Sequence, residues 1–118
     1  MAELAGCRVL LAEDEVLIAI LIGGILNEQQ CITVGPYPQV AEALAVVRAV
    51  PIDFALLDVD LCGKKGYPVA EELYRRDIPF LLLTGYGPQA VPREWAWHRK
   101  PFKRDDLMHR TRGLLRGR

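Results

Sequence analysis

The sequence predicts one α/β domain in which a parallel sheet is covered by helices on both faces. Short apolar runs alternate with helical patterns along the whole chain, and strands separated by helices in this way pair in parallel. The runs at residues 8–12 and 54–58 are apolar almost throughout, which is typical of strands buried on both faces. With 118 residues, of which 51% are hydrophobic and 25% charged, the chain can form one core, and this composition excludes intrinsic disorder.

Apolar periodicity and helix or strand breakers define the elements in order. We expect five strands, at residues 8–12, 31–35, 54–58, 79–84 and 95–100. Prolines at positions 36 and 38 are expected to stop the second strand, and Pro51 to end the second helix. We expect helices at residues 15–29, 39–50, 67–76 and 103–115. The segment 85–93 contains two glycines and two prolines, so the helix expected between the last two strands should be short or missing.

Charge and cysteine content exclude several functional classes. Lysine plus arginine balance aspartate plus glutamate at 15 each, which gives no case for nucleic-acid or membrane binding. Cys7, Cys31 and Cys62 are odd in number and widely spaced, so they indicate neither a disulfide framework nor a zinc site. The N-terminus lacks the basic start of a signal peptide. The longest apolar run, residues 16–26, is shorter than the roughly 20 residues that a membrane span needs. We therefore expect a cytoplasmic protein.

Polar side chains follow the predicted strands at their carboxyl ends, where open α/β sheets bind their ligands. They are three acids, one hydroxyl and one amine, namely Glu13, Asp14, Asp58, Thr84 and Lys100. Three carboxylates in one crevice repel, by on the order of 4 kcal/mol for a pair at about 4 Å. One lysine does not balance them, so a divalent cation is expected. All-oxygen ligands favour Mg²⁺, and the whole set suits phosphoryl transfer, with a carboxylate as possible nucleophile.

Four segments at these strand ends resemble the receiver domain of two-component response regulators. They are VLLAEDE (9–15), FALLDVDL (54–61), LLLTGYG (81–87) and RKPF (99–102). The resemblance covers essentially the whole chain and implies the flavodoxin-like fold, a doubly wound five-stranded parallel sheet of order 2-1-3-4-5. It implies a stand-alone receiver over residues 1–118 with no output domain in this chain.

The resemblance also implies roles for the acidic residues. Asp58 would be the phosphoacceptor, taking a phosphoryl group from a sensor histidine kinase or a phosphotransfer protein. Mg²⁺ would be bound by the side chains of Asp14 and Asp58 and by the backbone carbonyl of Asp60, with Glu13 acting through a metal-bound water.

Further roles fall on the fourth and fifth strands. Thr84 would turn inward to hydrogen-bond the phosphoryl group, and Lys100 would pair with it. Trp97 stands where the family often has a tyrosine or phenylalanine switch residue. The Lys100–Pro101 bond would be cis, against roughly 5–6% of such bonds in folded proteins.

Three functions are compatible with these residues. The first is a phosphorelay receiver, not an enzyme, which catalyses only its own phosphorylation and slow dephosphorylation and signals by protein contact. The second is a haloacid-dehalogenase-like phosphatase that uses Asp58 and Asp60 as its DxD pair. The third is a pseudo-receiver that binds partners without phosphorylation, against which the intact site residues argue.

The first helix is apolar on all sides, although a helix lying on a sheet should present a polar face to water. We expect its outer side, through Ile18, Ile22 and Ile25, to pack against a partner or to form a homodimer. The alternative is a helix that carries tolerated surface aliphatic residues. The downstream protein target is not identified by the sequence.

Overall fold

The central sheet of the computed structural model lies within the described residues, 4–91 and 94–117, and contains five parallel strands. They are β1 (Arg8–Ala12), β2 (Ile32–Tyr37), β3 (Phe54–Asp58), β4 (Phe80–Thr84) and β5 (Trp97–Arg99). Their order in the sheet is β2-β1-β3-β4-β5, and each neighbouring pair is parallel. The predicted fold class and strand order are therefore confirmed.

Helices cover both faces of the sheet. The bounds are Val16–Glu28 for α1, Val40–Ala49 for α2, Tyr67–Arg75 for α3 and Arg104–Arg116 for α4. Alternate residues of β3 enter two separate cores: Leu57 packs with α2 and α3, and Leu56 packs with α1 and α4. All five residues of β3 are buried, because both faces of the strand are covered. No helix in the described part of the chain is long and apolar enough to cross a membrane.

The connection between β4 and β5 holds one 3-10 turn, Pro88–Ala90, within its described residues. Pro92 and Arg93, the end of the segment for which we predicted a short or missing helix, lie outside the described residues. Proline has no backbone N–H and fixes its own φ, so a regular helix is disfavoured in this segment. Within its described residues, 85–91 and 94–96, the connection from the site end of β4 to the start of β5 contains this 3-10 turn and no α-helix.

The prediction that β2 stops before Pro36 is wrong. The strand continues to Tyr37, and the Gly35–Pro36 bond is cis. β2 is an edge strand, where a residue without an N–H is tolerated. The register with β1 shifts between Leu10 and Ala12, so that Tyr37 pairs with Ala12. The carbonyl of Tyr37 then accepts a hydrogen bond from the backbone N–H of Glu13, at 3.1 Å. The extra strand residues thus hold the backbone of a candidate site residue.

The predicted outer face of α1 is also wrong. Ile22 and Ile25 are 0% and 4% exposed, and Ile18 packs against the same core. The exposed apolar residues of α1 lie on the opposite side and are Val16, Leu17, Ile20 and Leu21, with exposures of 71%, 82%, 66% and 53%. A helix that is apolar all round carries no pattern from which its rotation can be predicted. The packing of α1 on the sheet decides the rotation, and it places the stripe Ile18, Ile22 and Ile25 inward.

Candidate functional site

The carboxyl ends of the strands form one cavity of about 550 Å³. The predicted residues lie at the ends of four strands: Glu13 and Asp14 directly follow β1, Asp58 ends β3, Thr84 ends β4, and Lys100 directly follows β5. Asp14, Asp58 and Lys100 line the cavity. One carboxylate oxygen from each of Glu13, Asp14 and Asp58 lies within 4.8 Å of the others. The parallel topology therefore gathers the acids that the sequence separates by more than forty residues.

Asp58 is the centre of this arrangement. The residue is only 4% exposed, and its Oδ2 accepts a hydrogen bond from Lys100 Nζ at 2.9 Å. Its Oδ1 accepts one from the backbone N–H of Asp60 at 3.2 Å. Both oxygens of the carboxylate are therefore held in fixed directions at the end of a buried strand.

Glu13 is almost fully buried, in an environment that disfavours an ionised carboxylate. Its Oε2 accepts a hydrogen bond from the backbone N–H of Glu15 at 3.1 Å. Its Oε1 lies 2.9 Å from Lys100 Nζ, but not in hydrogen-bond geometry, so this atom has no hydrogen-bond partner among the described residues. Burial, together with the neighbouring Asp58 carboxyl, raises the pKa of Glu13 from 4.5 to about 7. The site thus holds a carboxylate whose charge is not fully compensated by the protein.

Lys100 supplies the positive charge. Burial acts to lower its pKa, but the hydrogen bond to Asp58 and the close Glu13 carboxylate outweigh burial and raise the pKa above the ordinary value. The ammonium is therefore retained at neutral pH. Its backbone N–H donates to the carbonyl of Thr84 at 2.8 Å, and the Lys100–Pro101 bond is cis.

Asp14 and Asp60 are oriented by the segment that follows β3. Asp14 Oδ2 accepts a hydrogen bond from the backbone N–H of Cys62 at 2.8 Å. This contact has no signal in the sequence, because a backbone group contributes it whatever the side chain. Asp60 lines the cavity, but its carboxylate lies 2.5 Å from Lys65 Nζ, across a short antiparallel hairpin. Sequence reasoning missed Lys65, for which the only signal is the Gly63–Gly66 loop that makes a hairpin possible.

Thr84 and Trp97 are placed differently from the acids. Thr84 is 1% exposed, and its Oγ1 accepts a hydrogen bond from the backbone N–H of Tyr86 at 3.0 Å. Trp97 is half-buried and packs against the core on the α2 and α3 side of the sheet. The guanidinium of Arg99 lies over the Trp97 ring at 5.7 Å and donates to the Tyr86 carbonyl at 3.1 Å. Trp97 is thus connected to the loop after Thr84 through Arg99.

The donor set fits a hard divalent cation. Three carboxylates offer oxygen ligands on one side of the cavity, and the buried Glu13 Oε1 lacks a hydrogen-bond donor. Mg²⁺ prefers oxygen ligands, is usually held by one or two carboxylates, and keeps several waters. Nitrogen and sulfur side chains do not enter the cluster as described, which disfavours the ligand sets typical of zinc.

Comparison with known proteins identifies the class. A family model for the response regulator receiver domain matches residues 9–112, and the chain belongs to this family. Among curated proteins, the transcriptional regulatory protein TcrA of Mycobacterium tuberculosis is 33% identical over 124 residues, which covers 97% of this chain and 48% of TcrA. PdtaR of the same organism is 29% identical over 108 residues, covering 86% of this chain and 53% of PdtaR. The chain thus spans about half the length of these curated relatives.

Solved structures agree with this assignment. The solution structure of SdrG from Sphingomonas melonis Fr1 is 38% identical with a TM-score of 0.81, covering 93% of this chain and 96% of SdrG. A BeF3-activated conformation of SdrG is 39% identical with a TM-score of 0.78, covering 94% of this chain and 98% of that structure. Receiver domains are phosphorylated by histidine kinases and are signalling modules rather than enzymes with a turnover substrate.

Proposed function

We propose that this receiver accepts a phosphoryl group on Asp58 from the phosphohistidine of a histidine kinase or a phosphotransfer protein. The observation that carries the proposal is the buried Asp58 carboxylate, held by Lys100 beside two further acids at the end of β3. The BeF3-activated state of SdrG, a relative of 39% identity, supports the same chemistry for this chain.

The transfer exchanges one bond for another. A carboxylate oxygen of Asp58 bonds to phosphorus, the bond from phosphorus to the donor imidazole nitrogen breaks, and its electron pair stays on the imidazole. Lys100, already within 2.9 Å of Asp58, follows the transferred group and pairs with its oxygens. Asp14, Asp58 and the Asp60 carbonyl would hold Mg²⁺, with Glu13 acting through a bound water. When bound, Mg²⁺ neutralises charge on the phosphoryl oxygens.

Thr84 would act after the transfer. Its hydroxyl oxygen now accepts from the N–H of Tyr86, and hydrogen-bonding a phosphoryl oxygen requires the hydroxyl to donate toward Asp58. We assign Trp97 to the response, because Arg99 stacks on its ring and holds the Tyr86 carbonyl. A change at Thr84 would thereby reach the surface of β5.

The exposed apolar face of α1 is our candidate for the contact with the phosphodonor. Val16, Leu17, Ile20 and Leu21 form this face, and the neighbouring residues Glu15 and Ile18 line the cavity. A partner seated there can reach Asp58 without crossing the domain. A homodimer would use this face rather than the buried Ile22 and Ile25. Sedimentation equilibrium distinguishes a homodimer from a contact with the phosphodonor alone, because a chain that stays monomeric at high concentration excludes the homodimer.

The alternative phosphatase needs Asp60 as a general acid. The Asp60 carboxylate is instead paired with Lys65 Nζ at the surface, and the family match places the chain among receivers. We also propose a cytoplasmic location, which is usual for receiver domains.

Incubation with acetyl phosphate and Mg²⁺ tests the proposal. The expected product carries one phosphoryl group by intact-protein mass spectrometry, and Asp58→Asn abolishes it. Asp53→Asn is the matched control. Asp53 precedes the same strand at the far end of the sheet, where its Oδ2 accepts from the N–H of Arg8. Labelling that persists in Asp58→Asn overturns the assignment of the phosphoacceptor. Absence of labelling in the unmodified chain favours a pseudo-receiver, and rapid turnover of phosphate esters favours the phosphatase.

A further inference from the structure

Two segments line the mouth of the Asp58 cavity, and the roles assigned so far do not link them to each other. On one side lies the hairpin after β3, where Asp60 and Leu61 pair with Lys65 and Lys64 in antiparallel register. On the other side lies the loop after β4, which presents Tyr86 with 63% of the residue exposed. Asp60 and Tyr86 both line the cavity.

Lys65 reaches both segments. Its Nζ lies 2.5 Å from Asp60 Oδ1 and 5.8 Å from the centroid of the Tyr86 ring. Each segment is in turn connected to the reacting centre. The backbone N–H of Asp60 donates to Asp58 Oδ1, and the N–H of Tyr86 donates to Thr84 Oγ1. One ammonium thus links the two sides of the cavity mouth.

We propose that Lys65 is a positioning residue that closes the mouth of the cavity and lengthens the lifetime of the phosphorylated state. This inference rests on the proposed phosphorylation of Asp58. The step it controls is hydrolysis of the acyl phosphate. A water oxygen bonds to phosphorus, the bond from phosphorus to the Asp58 oxygen breaks with its electron pair returning to the carboxylate, and inorganic phosphate and a proton are released.

Two physical effects make Lys65 slow this step. The ammonium occupies Asp60 Oδ1, an oxygen that would otherwise accept a hydrogen bond from a water at the mouth and orient it. Its attraction to the face of Tyr86 also keeps that ring beside the hairpin, which narrows the path of the water. Lys65 and Asp60 have side-chain exposures of 55% and 37%, so the pair is partly solvated and its effect is modest.

Lys64 provides a matched control. It lies in the same hairpin, is exposed, and pairs with Leu61 instead of Asp60. Lys65→Met and Lys64→Met therefore remove the same charge from adjacent residues, but only the first opens the link across the mouth. Lys65→Arg keeps a positive charge in place.

The experiment phosphorylates each protein with acetyl phosphate and Mg²⁺, removes the donor by gel filtration, and follows loss of the acyl phosphate. We expect Lys65→Met to hydrolyse about two- to five-fold faster than the unmodified chain, the range expected of an exposed pair. Lys64→Met and Lys65→Arg should remain within about 1.4-fold of it, which is no more than the lower end of the range expected of exposed pairs. High salt should shorten the lifetime in the unmodified chain and leave Lys65→Met unchanged, because an exposed ion pair is screened.

A second measurement uses the protein without donor. In amide NMR spectra, Lys65→Met should shift the Tyr86 signal more than Lys64→Met does. Equal or longer lifetimes in Lys65→Met overturn the inference whatever the NMR shifts are, as does a Lys65→Arg variant that hydrolyses as fast as Lys65→Met. If the unmodified chain is never phosphorylated, the proposed function fails and the role of Lys65 fails with it. Equal lifetimes in a phosphorylated chain remove only the role of Lys65.

Discussion

Glu13→Gln should stabilise the metal-free protein at alkaline pH. The Glu13 side chain is fully buried, and its pKa is raised from 4.5 to about 7. Because the pKa in the folded state lies above that in the unfolded state, folding favours the protonated acid. The stabilisation is fully present below about pH 4.5 and is lost as the pH rises to about 7. At 1.36 kcal/mol for each pH unit, the loss has an upper limit of about 3 kcal/mol.

Structural relaxation and water penetration around the ionised acid reduce this limit, and we expect a loss of about 1 to 2 kcal/mol. Glutamine keeps the shape of the side chain and does not ionise, so Glu13→Gln should avoid the loss. Its gain in stability relative to the unmodified chain should grow between pH 4.5 and 7 and then remain constant. Saturating Mg²⁺ at pH 8 should stabilise the unmodified chain more than Glu13→Gln, because ionised Glu13 supports the cation.

Urea unfolding at several pH values between 4.5 and 8, in EDTA and again with Mg²⁺, measures these differences. Glu42→Gln, at an exposed position in the first turn of α2, controls for removal of one carboxylate. A metal-free stability that is flat or rises with pH relative to Glu13→Gln would refute the reasoning. The burial of Glu13 would then carry no penalty that a cation could relieve.

Two further pairs of substitutions, each a test with its comparison, probe the packing of the site and of α1. Gly66→Ala should destabilise the fold by about 1–3 kcal/mol and slow phosphorylation, because the added Cβ would lie 2.6 Å from the backbone oxygen of Asp58. Gly113→Ala, where nothing lies within 4 Å, should instead stabilise α4 by about 0.5–1 kcal/mol in the same urea assay. Leu17→Ser should leave stability within about 0.5 kcal/mol and slow transfer from a phosphohistidine donor but not from acetyl phosphate. Leu26→Ala, in the core, should cost about 2–5 kcal/mol, and equal costs at the two leucines would contradict the orientation of α1.

The elements that face the core could be predicted from local pattern. β3 was predicted at residues 54–58 and is observed there, because an apolar run buried on both faces begins after Asp53 and ends at Asp58. The end of β2 could not be predicted in this way. A proline ends most strands, but Pro36 lies in an edge strand whose register with β1 is shifted. Only the position of β2 at the edge of the sheet makes a proline within the strand tolerable.

The same contrast holds within the site. Glu13, Asp14, Asp58, Thr84 and Lys100 could be proposed from sequence, because a parallel sheet brings the carboxyl ends of its strands to one edge. The contacts that the Cys62 backbone makes with Asp14 and that Lys65 makes with Asp60 could not be predicted from the sequence. One depends on a backbone group that any residue provides, and the other on which residues pair across a two-residue hairpin.

The sequence by itself determined the fold class, the positions of the strands along the chain and the residue types at the carboxyl ends of β1, β3, β4 and β5. These follow from local hydrophobic periodicity and from a topological rule that needs no coordinates. Only the tertiary structure decided which side of α1 is buried, how far β2 extends and which atoms contact Asp58. An apolar helix can pack on a sheet in several rotations of similar local pattern, and the summed burial against β1, β3 and α4 selects one of them.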